Sequence, residues 1–265
     1  RDGRGRLRIE LEGPDCPLLA APEELAELAG LMEAPMRLED QDGDHLTLIQ
    51  QEPLMAVAGI AARKKDGETV SGDAGTYFKR GDGTLYVLLC DGMGSGPQAN
   101  RESSLALRLL EQFLQAGVET EHALVTLNSA LALRGEEAGG FTTVDLLQVD
   151  LFTGDGVVFK LGAAPTYVRK GGTVRRISGA SLPAGLAAEE RSAPDRFPIH
   201  LSPGDCVLLV SDGVTGTEDD SWLRERLVKF DQGSPKELAR DLITHSPQGA
   251  TDDSTALVIR LEKRE

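Results

Sequence analysis

The sequence predicts an α+β protein, with two antiparallel sheets flanked by pairs of helices. Short apolar runs separated by turn residues outnumber helical stretches, and the helical stretches come two at a time between groups of strands. A third observation marks the organising element. In Leu85–Ala99, LYVLLCDGMGSGPQA, an apolar run ends on Asp91 and a glycine-rich loop, and Pro97 then opens a long amphipathic segment. The same grammar returns in Asp205–Gly213, DCVLLVSDG, where an apolar run delivers Asp212 and Gly213. Glycine after the aspartate allows a sharp turn and leaves a carbonyl open to whatever the carboxylate holds.

In chain order, Arg6–Glu12 reads as a strand and Pro22 as the first turn of a helix, with Glu23 and Glu24 where the helix dipole favours negative charge. Leu25, Leu28, Ala29 and Met32 share one face of it, and one or two short strands complete the stretch to Gln51. Asp40, Asp42 and Asp44 imitate the opening of an EF-hand loop. His45 stands where that loop requires glycine, and Gln51 where it requires a bidentate glutamate, so they read as a solvated turn. Met55–Ala62 and Thr69–Lys79 are strands around a charged turn, and Gly81-Asp82-Gly83 is a hairpin into the organising strand.

Two helices follow back to back. The first runs from about Pro97 to Gln115, is striped by Leu105, Ala106, Leu109, Leu110, Phe113 and Leu114, and is stopped by Gly117. Thr120 caps the second, whose buried face is Ala123, Leu124, Leu127, Ala130 and Leu131. From Gly139 to Arg176 short strands alternate with turns as in an antiparallel meander, and Ser178–Pro198 is looser. The second Asp-Gly strand comes next, then two short helices (about Asp219–Phe230 and Pro235–His245), then Asp252-Asp253 ahead of a closing strand, Thr255–Leu261.

The 265 residues suffice for one large domain, or a domain with a small appendage. A formal charge of 28 − 43 = −15 argues against nucleic acid or an anionic membrane as partner. Cys16, Cys90 and Cys206 are far apart, and two lie inside apolar strands, which suggests buried thiols in a reducing cytoplasm. No apolar run approaches bilayer length. The chain opens on Arg1, already in strand-like sequence, and reads as a fragment of a longer protein.

Carboxylates carry the chemistry. Asp73 lies in a strand segment, Asp91-Gly92 and Asp212-Gly213 end strands, and Asp252-Asp253 precedes one. Carboxylate and carbonyl oxygens suit hard cations, and four separate acidic positions fit two cations sharing a bridging carboxylate and a water better than one cation. Phosphoester hydrolysis without a covalent enzyme intermediate uses such a pair most directly. Other chemistries fail on spacing. A cysteine-phosphatase loop needs arginine six residues after the nucleophile, where this chain has Pro22, Gly96 and Asp212. No Gly-x-Ser-x-Gly elbow or Walker loop occurs, and His45, His122, His200 and His245 have no zinc-motif spacing. Gly94-x-Gly96-x-x-Ala99 imitates a dinucleotide fingerprint, but two helices follow it instead of a short βαβ crossover.

Six segments in order, namely SGD at Ser71–Asp73, CDGMGSGPQANRES, FTTVDL at Phe141–Leu146, LGAAPTYVRKGG, SDG at Ser211–Gly213 and TDDST at Thr251–Thr255, resemble the motifs of metal-dependent serine/threonine phosphatases of the PPM (type 2C) class. The similarity is to the sporulation branch of that class, that of the stage II sporulation protein E phosphatase domain. It runs from about Leu54 to the C-terminus. The resemblance implies a β-sandwich of two antiparallel sheets flanked by helices, and two Mn2+ or Mg2+ ions. Asp91 would bridge them, the Gly92 carbonyl would complete one, Asp212 and Asp252 would ligate the other, and Asp73 would act on the first directly or through water. The role of Asp253 is open. The class often places an arginine near its first strand to hold phosphate; Arg63, with Lys64 and Lys65 beside it, is the nearest candidate and is left unassigned.

The resemblance further implies a phosphorylated anti-sigma-factor antagonist as substrate, whose dephosphorylation activates a sporulation sigma factor. It implies a cytoplasmic domain of a protein anchored at the membrane or division septum, and a homodimer is one of the states it allows. Residues 1–52 would be the C-terminal part of an upstream regulatory region, packed near the helices after Asp91, and 53–265 the phosphatase domain. A stress-response phosphatase of the same class and a catalytically silent binding module on the same fold are the alternatives.

Overall fold

The computed structural model describes residues 5–133, 140–186, 193–216, 219–230 and 233–264. Gly139 and part of the segment expected to be looser, 187–192, lie outside the described residues. The chain forms two compact units, one of residues up to Pro53 together with Arg264, the other of residues 54–263.

The N-terminal unit is a three-stranded antiparallel sheet, with strands β1 (Arg8–Glu12), β2 (Met36–Asp42) and β3 (His45–Gln50) in the order β1-β3-β2. A short 3-10 turn, Cys16–Ala20, and helix α1 (Pro22–Met32) accompany it. Leu25 and Leu28 of α1 pack with Met36, Leu46 and Leu48 of the sheet. Asp40 and Asp42 are exposed on β2, and Asp44 lies in the hairpin turn to β3.

The larger unit holds two five-stranded antiparallel sheets. One has the order β11-β8-β7-β6-β5, with β5 Asp73–Lys79, β6 Thr84–Gly92, β7 Thr142–Asp150, β8 Asp155–Leu161 and β11 Asp195–His200. The other has the order β10-β9-β12-β13-β4, with β4 Leu54–Arg63, β9 Thr166–Lys170, β10 Thr173–Ile177, β12 Cys206–Val210 and β13 Ser254–Lys263. Side-chain parity explains the layers. Leu85, Val87 and Leu89 of β6 meet Val207, Leu209, Leu257 and Ile259 of the second sheet in a shared core. The alternate residues Tyr86, Leu88 and Cys90 face outward onto helices α2 (Gly96–Gln115) and α3 (Thr120–Leu133), against Ala106, Leu110, Leu114, Leu124 and Leu127. On the opposite side Cys206, Leu208 and Val210 face α5 (Ser221–Lys229) and α6 (Pro235–Thr244). The layers are helix, sheet, sheet, helix, the α+β sandwich that the sequence predicts.

Several elements depart from expectation. β5 starts at Asp73 instead of Thr69, because the Gly72 N–H is bonded to a side chain, Asp253, and not to a strand. Glu119 caps α3, its carboxylate accepting the His122 N–H at 3.0 Å, whereas Thr120 donates its hydroxyl to Gln148. The expected meander is split, with β7 and β8 in one sheet and β9 and β10 in the other. The looser segment ends inside β11, an edge strand against β8; Pro198 is tolerated there because an edge leaves one row of N–H groups unpaired. Asp212 opens a one-turn helix, α4 (Asp212–Thr215), instead of ending β12. The three cysteines are free, with Cys90 and Cys206 buried.

Candidate metal centre

One end of the sandwich collects the acidic positions, and antiparallel pairing is the reason. β6 ends where its neighbour β5 begins, so Asp73 and Asp91 are register partners. β12 ends where β13 begins, which brings Asp212 and Asp252 to the same end of the other sheet. β4 ends there too, with Arg63 opposite Ser254, and releases Lys65. Parity then aims Asp91. It follows Leu85, Val87 and Leu89 on the face between the sheets, so the core side of β6 finishes on a carboxylate.

Asp91, Gly92, Asp212 and Asp252 line one cleft of 290 Å³ with Lys65, Met93, Gly94, Phe141 and Thr143. Asp73 lies behind Asp91, 7% exposed. A second chamber of 420 Å³ shares Asp212 and Asp252 and is lined further by Arg176, Thr215, Gln248 and Thr251.

Backbone packing explains both Asp-Gly pairs. A Cβ at Gly92 would collide with the Ala99 carbonyl of α2, and one at Gly213 with the Asp253 carbonyl, so each glycine is required by a close backbone approach. Positive φ is needed further on, at Gly94 (82°) and Gly96 (76°), where the loop turns into α2. Two threonines bracket the Asp91 peptide: the Thr142 hydroxyl donates to its carbonyl at 2.8 Å, and its N–H donates to the Thr143 hydroxyl at 3.3 Å. FTTVDL was legible as a motif, but nothing in its spacing disclosed this holding role. On the other sheet Ser246 and Ser254 donate to the Gly213 carbonyl at 3.2 and 3.0 Å.

The electrostatics are those of unneutralised carboxylates. Burial first, then Asp73, Asp212 and Asp252, push the Asp91 carboxyl up to about 9. Burial pushes Asp73 up to about 6, and burial followed by Asp252 raises Asp212. Both Asp73 carboxylate oxygens are buried without a hydrogen bond; the Ser211 and Thr255 hydroxyls ease its charge from outside bonding geometry. Among the described residues no three His, Cys, Asp or Glu side chains stand ready to hold an ion. The fit to a cation rests instead on orphaned buried oxygens and on like charges gathered with Lys65 alone to offset them among the described lining of the cleft. An all-oxygen donor set of this kind suits Mg2+ or Mn2+.

The three basic candidates separate. Arg63 donates to the Gly249 carbonyl and Lys64 to the Glu68 carbonyl, while Lys65 is the only cationic residue among the described lining of the cleft. In the second chamber Arg176 is held at 3.2 Å by Asp220, which also receives Arg224 and the Tyr167 hydroxyl. Sequence reasoning missed Arg176, which had no motif to mark it.

The family model described as stage II sporulation protein E matches residues 81–262. The stage II sporulation protein E of Priestia megaterium is 30% identical over 213 residues, covering 77% of this chain and 36% of the relative. That of Bacillus subtilis is 29% identical over 214 residues, covering 77% of this chain and 25% of the relative. The chain thus spans about a third or less of the length of these relatives. A solved structure of the PP2C phosphatase domain and a fragment of the regulatory domain of the Bacillus subtilis cell-fate determinant SpoIIE superposes with a TM-score of 0.78. It is 24% identical, and the match covers 100% of this chain and 81% of that one. The fold is that of a PP2C-type phosphatase domain.

Proposed function

The chain belongs to the stage II sporulation protein E family, and from that premise we propose that residues 54–263 are a metal-dependent serine phosphatase acting on a phosphorylated anti-sigma-factor antagonist. The convergence of Asp91, Asp212 and Asp252 on one cleft, with Asp73 directly behind, supports the reading best. Asp73, Asp91, Asp212, Asp252 and the Gly92 carbonyl would hold two divalent cations, Mn2+ or Mg2+. Bound there, such cations supply Lewis acidity that lowers the pKa of water and neutralises phosphoryl charge.

The chain's own groups do the rest. Lys65 faces the cleft and neutralises a phosphoryl oxygen. Thr142 and Thr143 hold the Asp91 backbone, so its carboxylate is presented to the cleft in one orientation. The described lining offers no cysteine or histidine nucleophile, and the Thr143 hydroxyl is engaged with the Asp91 N–H, in keeping with direct attack by water. Residues up to Pro53 are the C-terminal part of an upstream regulatory region. Among the described residues no helix is long and apolar enough to cross a membrane; we assign membrane anchorage to the remainder of the full-length protein.

The test is incubation with phosphorylated candidate antagonist proteins, with and without EDTA, reading phosphate release. Release with Mn2+, none with EDTA, and loss of turnover in a folded Asp212→Asn variant are expected. Near-full turnover by Asp212→Asn, or in EDTA, would overturn the assignment. Release from a stress-pathway antagonist alone would move the substrate within the class.

A further inference from the structure

We propose that Asp253 is a positioning residue, a two-handed clasp that sets the spacing between the two sheets' halves of the metal centre. The inference rests on the metal-binding reading above and assigns a role to a residue outside the proposed ligand set.

Asp253 is 3% exposed and sits beside Asp73 and Asp252. Its geometry shows why a carboxylate stands there. Oδ1 accepts the Lys65 N–H at 2.9 Å, and Oδ2 accepts the Gly72 N–H at 2.8 Å. Both donors lie in the connection between β4 and β5, which pairs with no strand, so these N–H groups have no ladder to join. An amide has one acceptor oxygen, so asparagine would turn its NH2 against one of the two donors and leave a buried N–H unmet.

The clasp reaches every proposed ligand element but that of Asp212. Gly72 precedes Asp73 and passes the link on, its carbonyl accepting the Gly92 N–H at 3.3 Å. The Asp253 N–H donates to Asp252 Oδ1 at 2.9 Å. Lys65, the cation of the cleft, hangs from the other hand. A continuous hydrogen-bonded line therefore runs from the start of β13, in one sheet, through Gly72 to the end of β6, in the other. Gly72 is wedged in this line: a Cβ there would lie 2.8 Å from the Ala99 Cβ and 3.1 Å from Asp253 Oδ2. Removing one hand frees Gly72 or Lys65 to shift, and the separation between Asp252 and the pair Asp73 and Asp91 loses its brace.

The experiment is Mn2+ binding by calorimetry, with no substrate present, on the wild-type chain, Asp253→Asn and Asp253→Glu, alongside Leu261→Ala, at the far end of β13 from Asp253, as a core control. Groups that orient metal ligands typically govern affinity by about 10- to 100-fold. Asp253→Asn is expected to bind Mn2+ about 10-fold more weakly while melting cooperatively, and to recover turnover as Mn2+ is raised. Leu261→Ala lowers the melting temperature and leaves Mn2+ affinity unchanged, which separates positioning from general loosening of the fold. Asp253→Glu keeps both acceptors on a longer arm, and it is the variant to read should Asp253→Asn not fold; weakened Mn2+ binding is expected there too. Wild-type affinity in either folded variant would overturn the clasp. Absence of Mn2+ binding by the wild-type chain would overturn the metal-binding reading and the clasp with it.

Discussion

Gly92 and Gly213 look alike in sequence as turn glycines, but neither adopts a left-handed backbone. Each is glycine because a backbone carbonyl, of Ala99 or of Asp253, occupies the space of a Cβ. Gly92→Ala is therefore expected to push α2 away from β6. Forcing one extra methyl into a packed site costs about 1–3 kcal/mol, which a denaturant melt would read, with weakened Mn2+ binding alongside. Unchanged stability and Mn2+ affinity would show that the approach relaxes freely. Asp91 and Asp212 were legible as a matched pair because each follows an apolar run. Thr142, Thr143 and Arg176 were not legible in their roles, since hydrogen bonds across strands and chambers between elements leave no local pattern.

At the scale of elements, α2 is the lever. Its apolar stripe was plain in sequence, and Ala106, Leu110 and Leu114 are buried against β6 and β7. The helix is joined to Asp91 by only Gly92–Ser95, so a tilt of α2 carries the carboxylate with it, and site geometry is sensitive on the scale of about 1 Å. If residues 1–52 are regulatory, as proposed, their deletion is expected to change phosphatase activity and Mn2+ affinity together; a truncated chain with both unchanged would overturn that proposal. Long apolar runs such as β6 and β12 were readable because burial on both faces leaves them almost free of polar residues. β11 was not, since an edge strand carrying proline and alternating exposure resembles a loop.

At the scale of the whole molecule, the acidic centre couples stability to pH and metal. Asp91 and Asp73 hold their protons to about 9 and about 6 in the folded chain, against an ordinary value of 3.8. The metal-free folded state thus binds more protons than the unfolded state over that range, so stability falls as pH rises. The contribution is fully present below about pH 4 and is lost as pH climbs through 6 and then 9. Melting of the metal-stripped chain should show this decline between pH 5 and 9, and the gain on adding saturating Mn2+ should be larger at pH 8.5 than at pH 5.5. An equal gain at both would mean that the carboxylates are already neutralised by something else.

The layer architecture was readable from residue order alone, because alternation and amphipathic stripes record which faces are buried; so were the acidic positions, because apolar runs that stop on aspartate are local patterns. The arrangement of elements in space was needed to put Lys65 in the lining of the cleft, to show what holds the Asp91 backbone, and to link Asp253 to Gly72. Those facts depend on contacts between residues as distant in the chain as Gly72 and Asp253, and such pairings are settled by strand order and register, which no stretch of sequence contains on its own.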